Sequence, residues 1–340
     1  MKIHFRKHFS NMVEAATKTQ AGAALYKGFV DYHDKHFPEA MAELRGFSES
    51  SGVNFSEIFI QNIMEEFSQC SAAIHLVPPK VSADHCSDLM MCAESDTSVC
   101  AVGHNEDNNK EDLGTLVLVR ASFGTTIKWM AATYAGELSS GAFAFSPVAG
   151  FAYSLNWVGP RDAVCPSAGR GFVSRAALSS PSFEAARELI TSTRASSGHN
   201  YQLMDTRRAA IINIEVAPRG MYAVRPIGAE PFFHANQYQT LVLPQIIGNS
   251  SAHRLARAAE LPPPKTLNGI LHTLGDQHDA SWPIYHDVAS HQKGDLADWT
   301  IATALFDLRA KKLTIYTGNP REQHVVAEAP LLESTTSPRE

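Results

Sequence analysis

Several features are missing from this 340-residue sequence, and each absence excludes a class of protein. No run approaches the roughly 20 apolar residues that a membrane-spanning helix needs. The net charge is -6, so the basic surface that nucleic-acid-binding proteins carry is not expected. No apolar segment follows the basic residues near the N-terminus, so no secretory signal is predicted. We therefore expect a cytoplasmic protein with no membrane and no nucleic-acid partner.

Cysteines are also few, and their spacing is irregular. The five are Cys70, Cys86, Cys92, Cys100 and Cys165. An odd number without a Cys-x-x-Cys pair favours reduced thiols over a disulfide framework or a zinc site. His278, His286 and His291 are interpreted as surface residues, since groupings of this kind arise easily among fifteen histidines. No metal site is therefore expected.

The composition that is present is that of a globular protein, with 44% hydrophobic and 19% charged residues. Apolar residues recur at helical spacing through residues 11–70, with a break at Phe37-Pro38. Residues 77–80 form a Pro-punctuated linker, and short strands joined by tight turns predominate from residue 86 onward. Residues 275–297 are polar and are expected to be irregular. This order predicts an α+β fold with largely antiparallel sheets.

The stretch from Cys86 to Asp107 carries the strongest chemical signal. A strand after Cys86, a turn, and a second strand ending at Gly-His-Asn-Glu-Asp would place the thiol beside Asn105 and Asp107. Nucleophilic catalysis by cysteine needs a thiolate and a group that accepts its proton. The polar neighbours of Cys86 favour such a role over an inert core thiol. Cys165, in a loop rich in Pro and Gly, is the weaker alternative nucleophile.

A second signal lies far downstream, in Phe-Phe-His-Ala-Asn-Gln-Tyr. Its amide, Asn236, is flanked by His and aromatic residues. Such an amide either forms a turn or donates a hydrogen bond to a developing oxyanion. The sequence alone leaves both interpretations open.

The order and spacing of these motifs resemble the peptidase C45 family of N-terminal-nucleophile (Ntn) hydrolases. This family includes acyl-coenzyme A:6-aminopenicillanic acid acyltransferases and insect β-alanyl-dopamine hydrolases. The resemblance rests on Cys-Ser, on Gly-His-Asn-Glu-Asp and on the Asn236 segment, and it continues at residues 197–200, 214–218, 251–254 and 300–318. The Gly-His-x-Glu-Asp form is nearer to the β-alanyl-amine hydrolases.

The family implies an αββα four-layer sandwich that matures by cleavage of its own chain. Residues 1–85 would form an N-terminal helical segment, which becomes the small chain if the protein is cleaved. Residues 86–325 would form the catalytic core, and residues 326–340 a frayed tail. Cleavage between His85 and Cys86 would leave the two fragments as a heterodimer. His85 stands where the family usually has Gly, which keeps an uncleaved chain as an alternative.

The resemblance also implies roles for individual residues. Cys86 would be the nucleophile, and its new α-amine, with a pKa of about 7.7–8.0, would be the base. Asp107 would orient that amine, and Asn236 would hold the oxyanion. Four further residues are candidates for substrate or oxyanion binding: Asn105, Asn156, Tyr153 and Arg254.

These roles predict a hydrolase that cleaves the amide of a small N-acyl amine, similar to an N-β-alanyl amine, through a thioester. The first alternative is an acyltransferase that uses the same nucleophile and takes its acyl group from coenzyme A as co-substrate. The second is an uncleaved homologue that binds acyl amines without catalysis. No bound cofactor is expected in any of the three.

Overall fold

The computed structural model describes residues 7–76, 86–94, 98–124, 126–296 and 298–333. Its first part is helical, as predicted, with helices α1 Lys7–Lys18, α2 Gln20–His36, α3 Pro38–Ser51, α4 Phe55–Asn62 and α5 Met64–Ala73. The Thr19 side chain caps α2 by accepting from Gly22 N. Pro38 begins α3, and Gly52 ends it in the left-handed conformation with φ 72°.

Two antiparallel sheets follow. The strands are β1 Ser87–Cys92, β2 Cys100–Asn108, β3 Val117–Phe123, β4 Thr126–Thr133, β5 Phe143–Ser146, β6 Phe151–Pro160, β7 Gly198–Asp205, β8 Ala210–Ala217, β9 Met221–Pro226, β10 Phe232–His234, β11 Gln245–Ile246, β12 Trp299–Asp307, β13 Lys312–Tyr316 and β14 Val325–Pro330. One sheet has the order β10-β1-β2-β12-β13-β14. The other has the order β3-β4-β5-β6-β7-β8-β9, with β11 paired to β6.

Five further helices complete the described chain: α6 Arg170–Leu178, α7 Phe183–Ser192, α8 Asn249–Glu260, α9 Leu267–Leu274 and α10 Val288–Lys293. Residues that alternate along each strand point to opposite faces of its sheet. One set from both sheets forms a shared core between them, which includes Met90, Val102 and Ala152. On the outer faces, α6 and α7 cover the larger sheet, and α8 and α9 cover the smaller one. The predicted αββα layer order is confirmed.

Gly103 allows one of these outer helices to approach closely. A Cβ atom at this position would lie 2.6 Å from side-chain atoms of Ile270 and of Leu274, both on α9. Contacts that short do not occur between real carbon atoms, so any larger residue would push α9 away from β2. The glycine of the Gly-His-Asn-Glu-Asp motif therefore has a packing role.

The prediction of reduced thiols is wrong. Cys70 is bonded to Cys165, and Cys92 to Cys100, which leaves Cys86 as the free cysteine. Sequence spacing did not reveal these pairs because the first joins residues 95 positions apart that only the fold brings together. The cytoplasmic location stays a prediction, and the two disulfides weigh against it, since disulfides persist mainly in oxidising compartments.

Two further expectations need correction, and two segments lie outside the described residues. Residues 326–330 do not fray, because β14 pairs with β13 and Ala329 and Leu331 are buried in the core. The polar stretch 275–297 contains α10, which Asp287 begins with a capping box.

The predicted linker at 77–80 and His85 fall outside the described part of the chain. In that part, no helix is both long and apolar enough to cross a bilayer.

We predict that one thiol reacts when the unreduced chain is unfolded and alkylated. Cys86 should be labelled, because the other four cysteines are held in disulfides. Peptide mapping by mass spectrometry measures this directly, and reduction before alkylation should raise the number of labelled cysteines to all five. A Cys86→Ala chain is the control and should take up no label before reduction. Labelling of Cys70 or Cys165 without reduction would contradict the structure.

Candidate active site

The hairpin of β1 and β2 positions the candidate nucleophile. Ser87 pairs with Asn105 across the two strands, which brings the preceding residue, Cys86, alongside Glu106. The Cys86 thiol donates to Glu106 Oε2 at 3.3 Å, and its Sγ lies 4.0 Å from the Asp107 carbonyl oxygen. The sequence predicts that the thiol lies beside a carboxylate. That carboxylate belongs to Glu106, one residue before the one expected.

Glu106 belongs to a buried network between the two sheets. His104 Nε2 lies 3.2 Å from Glu106 Oε2, and His104 Nδ1 lies 3.0 Å from Asp88 Oδ1. Tyr134 donates to Glu106 Oε1 at 2.9 Å, and Ser154 donates to Asp88 at 2.6 Å. One imidazole therefore links two carboxylates, and hydroxyl groups from the opposite sheet hold both of them in place.

Arg254, on α8, connects the candidate nucleophile to the rest of the site through hydrogen bonds. Its Nη1 donates to the Cys86 carbonyl oxygen at 2.8 Å and to Ser87 Oγ at 2.6 Å. Its Nη2 donates to Asn236 Oδ1 at 2.7 Å, and its Nε donates to Ser250 Oγ at 2.9 Å. The side chain is fully buried. The guanidinium thus fixes the backbone at Cys86 and the amide of Asn236 relative to each other.

Asn236 and Asn156 are two amides on the strands and loops around this centre. Asn236 Nδ2 donates to Trp157 O at 3.0 Å, and its backbone N–H donates to Ser251 Oγ at 3.0 Å. Asn156 Nδ2 lies 3.4 Å from Ala235 O, and its Oδ1 is buried without a hydrogen-bond partner. Both amides are buried, and each donates to a backbone carbonyl group that helps to fix its orientation, as a preorganised oxyanion donor requires.

Asp107 lies on the other face of β2. Its carboxylate is buried, with Oδ2 3.9 Å from His286 Nε2, and Asp295 Oδ2 lies 2.9 Å from His286 Nδ1. The surface position expected for His286 is wrong, since the fold buries its ring between these two acids. Arg254 interacts with both Cys86 and Asp107. It donates to the Cys86 carbonyl oxygen, and its positive charge acts on the Asp107 carboxylate.

Burial changes the protonation of these groups. It raises the pKa of the Cys86 thiol to about 12, and the Glu106 charge adds to this effect. Burial also raises the pKa of Asp107 to about 6, against the opposing charges of His286 and Arg254. For His104, burial alone would lower the pKa, but Asp88 and the hydrogen bonds to Cys86 and Glu106 raise it well above the usual value. The thiol therefore needs a proton acceptor before it attacks a carbonyl group.

Two of the predicted site residues serve the scaffold instead. Asn105 is turned away from the thiol, and its side chain bonds to Leu274 O, Ile284 O and Thr303 Oγ1. Tyr153 lies on the outer face of the larger sheet, in the cluster with α6, and donates to Ser174 O. Neither residue contacts Cys86, because strand alternation sends both side chains to the wrong face. Cys165, the alternative nucleophile, is excluded by its disulfide.

Glu106, His104 and Asp88 were missed as site residues. The signal that finds them is the period of two along β1 and β2, because Asp88, His104 and Glu106 all face the opposite sheet. Cys86, His104 and Glu106 each offer an atom that could bind a metal ion, and these three atoms lie within 4.8 Å of one another. In the described part of the chain this is the one such group of histidine, cysteine and acidic residues. Hydrogen bonds already link Glu106 to the other two.

Comparison with known proteins gives one family and one similar curated protein. A family model described as acyl-coenzyme A:6-aminopenicillanic acid acyl-transferase matches residues 92–322. The chain is similar to the beta-alanyl-dopamine/carcinine hydrolase of Drosophila melanogaster, with 23% identity over 336 residues. That alignment covers 92% of this chain and 84% of that protein. The family resemblance seen in the sequence is confirmed.

Two solved structures are similar at lower identity. One is the Caenorhabditis elegans ortholog of N-acylethanolamine-hydrolyzing acid amidase, with 12% identity and a TM-score of 0.43, covering 66% of this chain and 93% of that chain. The other is penicillin V acylase from Agrobacterium tumefaciens, with 13% identity and a TM-score of 0.35, covering 68% and 83%. Both scores are low, so the architecture given above rests on the strand pairing of this chain itself.

We predict that Asp107 makes stability depend on pH in the intact chain. The test compares Cys86→Ala, which lacks the nucleophile, with the same chain carrying Asp107→Asn. The folded pKa of Asp107 is raised from 3.8 to about 6, so the stability it contributes is fully present below pH 3.8 and is lost as the pH rises through 6. The parent should lose roughly 2 kcal/mol relative to Asp107→Asn between about pH 4 and pH 7, because part of the effect lies below pH 4.

Urea unfolding at each pH measures this difference. Exposed Asp162, replaced by Asn in the same background, is the control and should show no comparable change. If the stability difference between the parent and the Asp107→Asn chain stays constant from pH 4 to pH 7, the burial of this acid is contradicted.

Proposed function

The chain belongs to the acyl-coenzyme A:6-aminopenicillanic acid acyl-transferase family, and on this premise we propose that it hydrolyses the amide bond of a small N-acyl amine through Cys86. It is an enzyme that acts on amide C–N bonds, and the substrate we propose carries an N-β-alanyl or closely related acyl group. The observation that supports this proposal is the position of Cys86. It is the free thiol, it bonds to Glu106, and Arg254 holds its backbone carbonyl and the Asn236 amide together.

The chemistry has two steps in which bonds and protons balance. The Cys86 sulfur, after losing its proton, attacks the amide carbonyl carbon, and the C–N bond breaks as the amine leaves with a proton. The resulting thioester is attacked by water, the C–S bond breaks, and the carboxylic acid and the thiol are released. Asn236 would stabilise the oxyanion of each tetrahedral intermediate, a contribution of about 3–4 kcal/mol for one donor.

The same sulfur is proposed to cut the chain before Cys86. Attack on the carbonyl of His85 would replace that peptide bond by a thioester, and water would then release a new N-terminal Cys86. The free α-amine would serve as the base in later turnovers, because its pKa of about 7.7–8.0 is close to neutral. Asp107 and Arg254, which surround this chain position, would orient that amine.

The disulfide between Cys70 and Cys165 has a direct consequence for such a cut. Cys70 lies on α5, before the proposed cleavage point, and Cys165 lies after it. The two fragments would therefore remain covalently joined as a heterodimer. The N-terminal helices also share an apolar cluster with Phe172 of α6, so non-covalent packing holds the same interface.

An acyltransferase remains the second candidate, because the family description names acyl transfer from coenzyme A. The acyl-enzyme is the same in both activities, and only the acceptor differs. Supplying an acyl-coenzyme A thioester with a free amine, and analysing the products for amide, separates the two. Amide formation faster than hydrolysis would favour the transferase.

We predict that the purified chain is cut before Cys86 and that the two fragments separate only after reduction. Without reduction, the intact mass should equal that of the full sequence plus one water, less the four hydrogens lost in the two disulfides. After reduction, two fragments should appear, of about one quarter and three quarters of the chain, because residue 85 is one quarter of the way along 340. A single full-length species after reduction, lacking the added water, would contradict self-cleavage.

We further predict that Cys86→Ala abolishes both cleavage and amide hydrolysis, while Cys92→Ser with Cys100→Ser leaves hydrolysis within a few-fold of the parent. The first variant removes the attacking atom, and the second removes two sulfurs that lie at the far end of the same hairpin. Release of free amine from β-alanyl-dopamine and β-alanyl-histamine measures the activity. Full activity in Cys86→Ala would refute the proposed nucleophile.

A further inference from the structure

We propose that the Glu106 carboxylate is the binding site for an ammonium group on the acyl part of the substrate, so that the enzyme selects short acyl groups with a terminal ammonium. This inference rests on the proposed amide hydrolysis at Cys86 and assigns the residue that chooses the substrate. It gives Glu106 a role in binding that is separate from its hydrogen bond to the resting thiol.

The distances place Glu106 within reach of such a group. Glu106 Oε2 lies 3.3 Å from Cys86 Sγ. A carbonyl carbon poised for attack lies about 3–3.5 Å from the sulfur. In a β-alanyl group, three single bonds of about 1.5 Å separate that carbon from the ammonium nitrogen, which therefore lies at most about 4 Å away. An acyl chain of this length can place its ammonium on a carboxylate that is itself beside the sulfur.

The carboxylate is held ready for a cation. Tyr134 fixes Oε1 and His104 contacts Oε2, and both partners are buried. A carboxylate accepts at about four lone-pair positions, so these contacts leave capacity for a further donor. The side chain is only 8% exposed, so water contributes little to its solvation. A charge-assisted hydrogen bond from an ammonium would replace that missing solvation.

The charge on this face of the site is also unbalanced. Asp88 and Glu106 are carboxylates, and His104 between them carries at most one positive charge. Among the described residues, the other hydrogen-bond donors to this trio are the hydroxyls of Tyr134 and Ser154 and the Cys86 thiol, and none of these donors is charged. A buried network with one excess negative charge is costly to desolvate without a partner. A substrate ammonium supplies the missing charge.

The same geometry disfavours neutral acyl groups. A butyryl group has the same number of heavy atoms as β-alanyl, with a methyl group in place of the ammonium. That methyl group would cover the Glu106 carboxylate without giving it a hydrogen bond. Sites built to bond a polar group reject analogues that lack it, because the buried partner is left unpaired.

The test compares kcat/KM for β-alanyl-tyramine and butyryl-tyramine, which share one leaving amine. The parent enzyme should prefer the β-alanyl substrate by at least about 30-fold, the low end of the effect of a buried charge pair. Glu106→Gln keeps the shape of the side chain and removes its charge. It should lower the ratio of the β-alanyl to the butyryl kcat/KM by a similar factor, because any effect of the lost charge on the Cys86 thiol is common to both substrates. Glu111→Gln removes an equal charge from an exposed position after β2 and should change neither value.

The possible results distinguish a substrate-binding role of Glu106 from a proton-accepting or structural role. If Glu106 acted only as a proton acceptor or as a structural support, Glu106→Gln would lower both values equally, and the proposal would be overturned. A parent enzyme that cleaves both substrates equally well would overturn it too, while leaving amide hydrolysis intact. If neither substrate is cleaved, the proposed function fails as well. Should Glu106→Gln fail to fold by circular dichroism, the ratio measured for the parent enzyme decides alone.

Discussion

The guanidinium of Arg254 is the interaction on which the rest of the site depends. It is a fully buried cation that donates to the Cys86 carbonyl, to Ser87, to Asn236 and to Ser250. These contacts join α8, the start of β1 and the segment after β10 at one point. Hydrogen bonds to a charged group are worth about 1.5–3 kcal/mol each, and removing a buried charge from such a set typically costs about 3–5 kcal/mol. The nucleophile is therefore positioned through its backbone, and its sulfur is left for chemistry.

The side chains on the two faces of β2 have different roles. Toward the opposite sheet, His104 and Glu106 form the polar network beside the thiol. On the face toward the outer helices, Gly103 allows α9 to approach closely, and Asn105 donates to the Leu274 carbonyl oxygen at the end of that helix. A single strand thus supplies both the chemical surroundings of the nucleophile and the packing that keeps the strand in register. A shift of one residue would exchange the two sets and destroy the site.

The hairpin was predicted from alternation and turn residues, which are local signals. The layer order was predicted from the family resemblance, which the order of the motifs carries. Cys86 as the nucleophile stays a prediction. The sequence did not predict which side chains meet across layers. Tyr153 and Asn105 are polar residues in the right segments but on the wrong faces, whereas Asp88 and Glu106 required strand parity to be followed residue by residue. No sequence pattern predicted the Cys70–Cys165 disulfide, because this pairing depends on how α5 packs near the loop before α6.

Acyl groups are proposed to pass through a thioester on Cys86. Rapid acid quenching during turnover of a β-alanyl amide, followed by peptide mapping under conditions that preserve thioesters, tests it most directly. We expect the peptide that contains Cys86 to carry an added mass equal to one β-alanyl group, and we expect neutral hydroxylamine to remove it. Product formation at full rate with the adduct absent, or found on another residue, would contradict the claim.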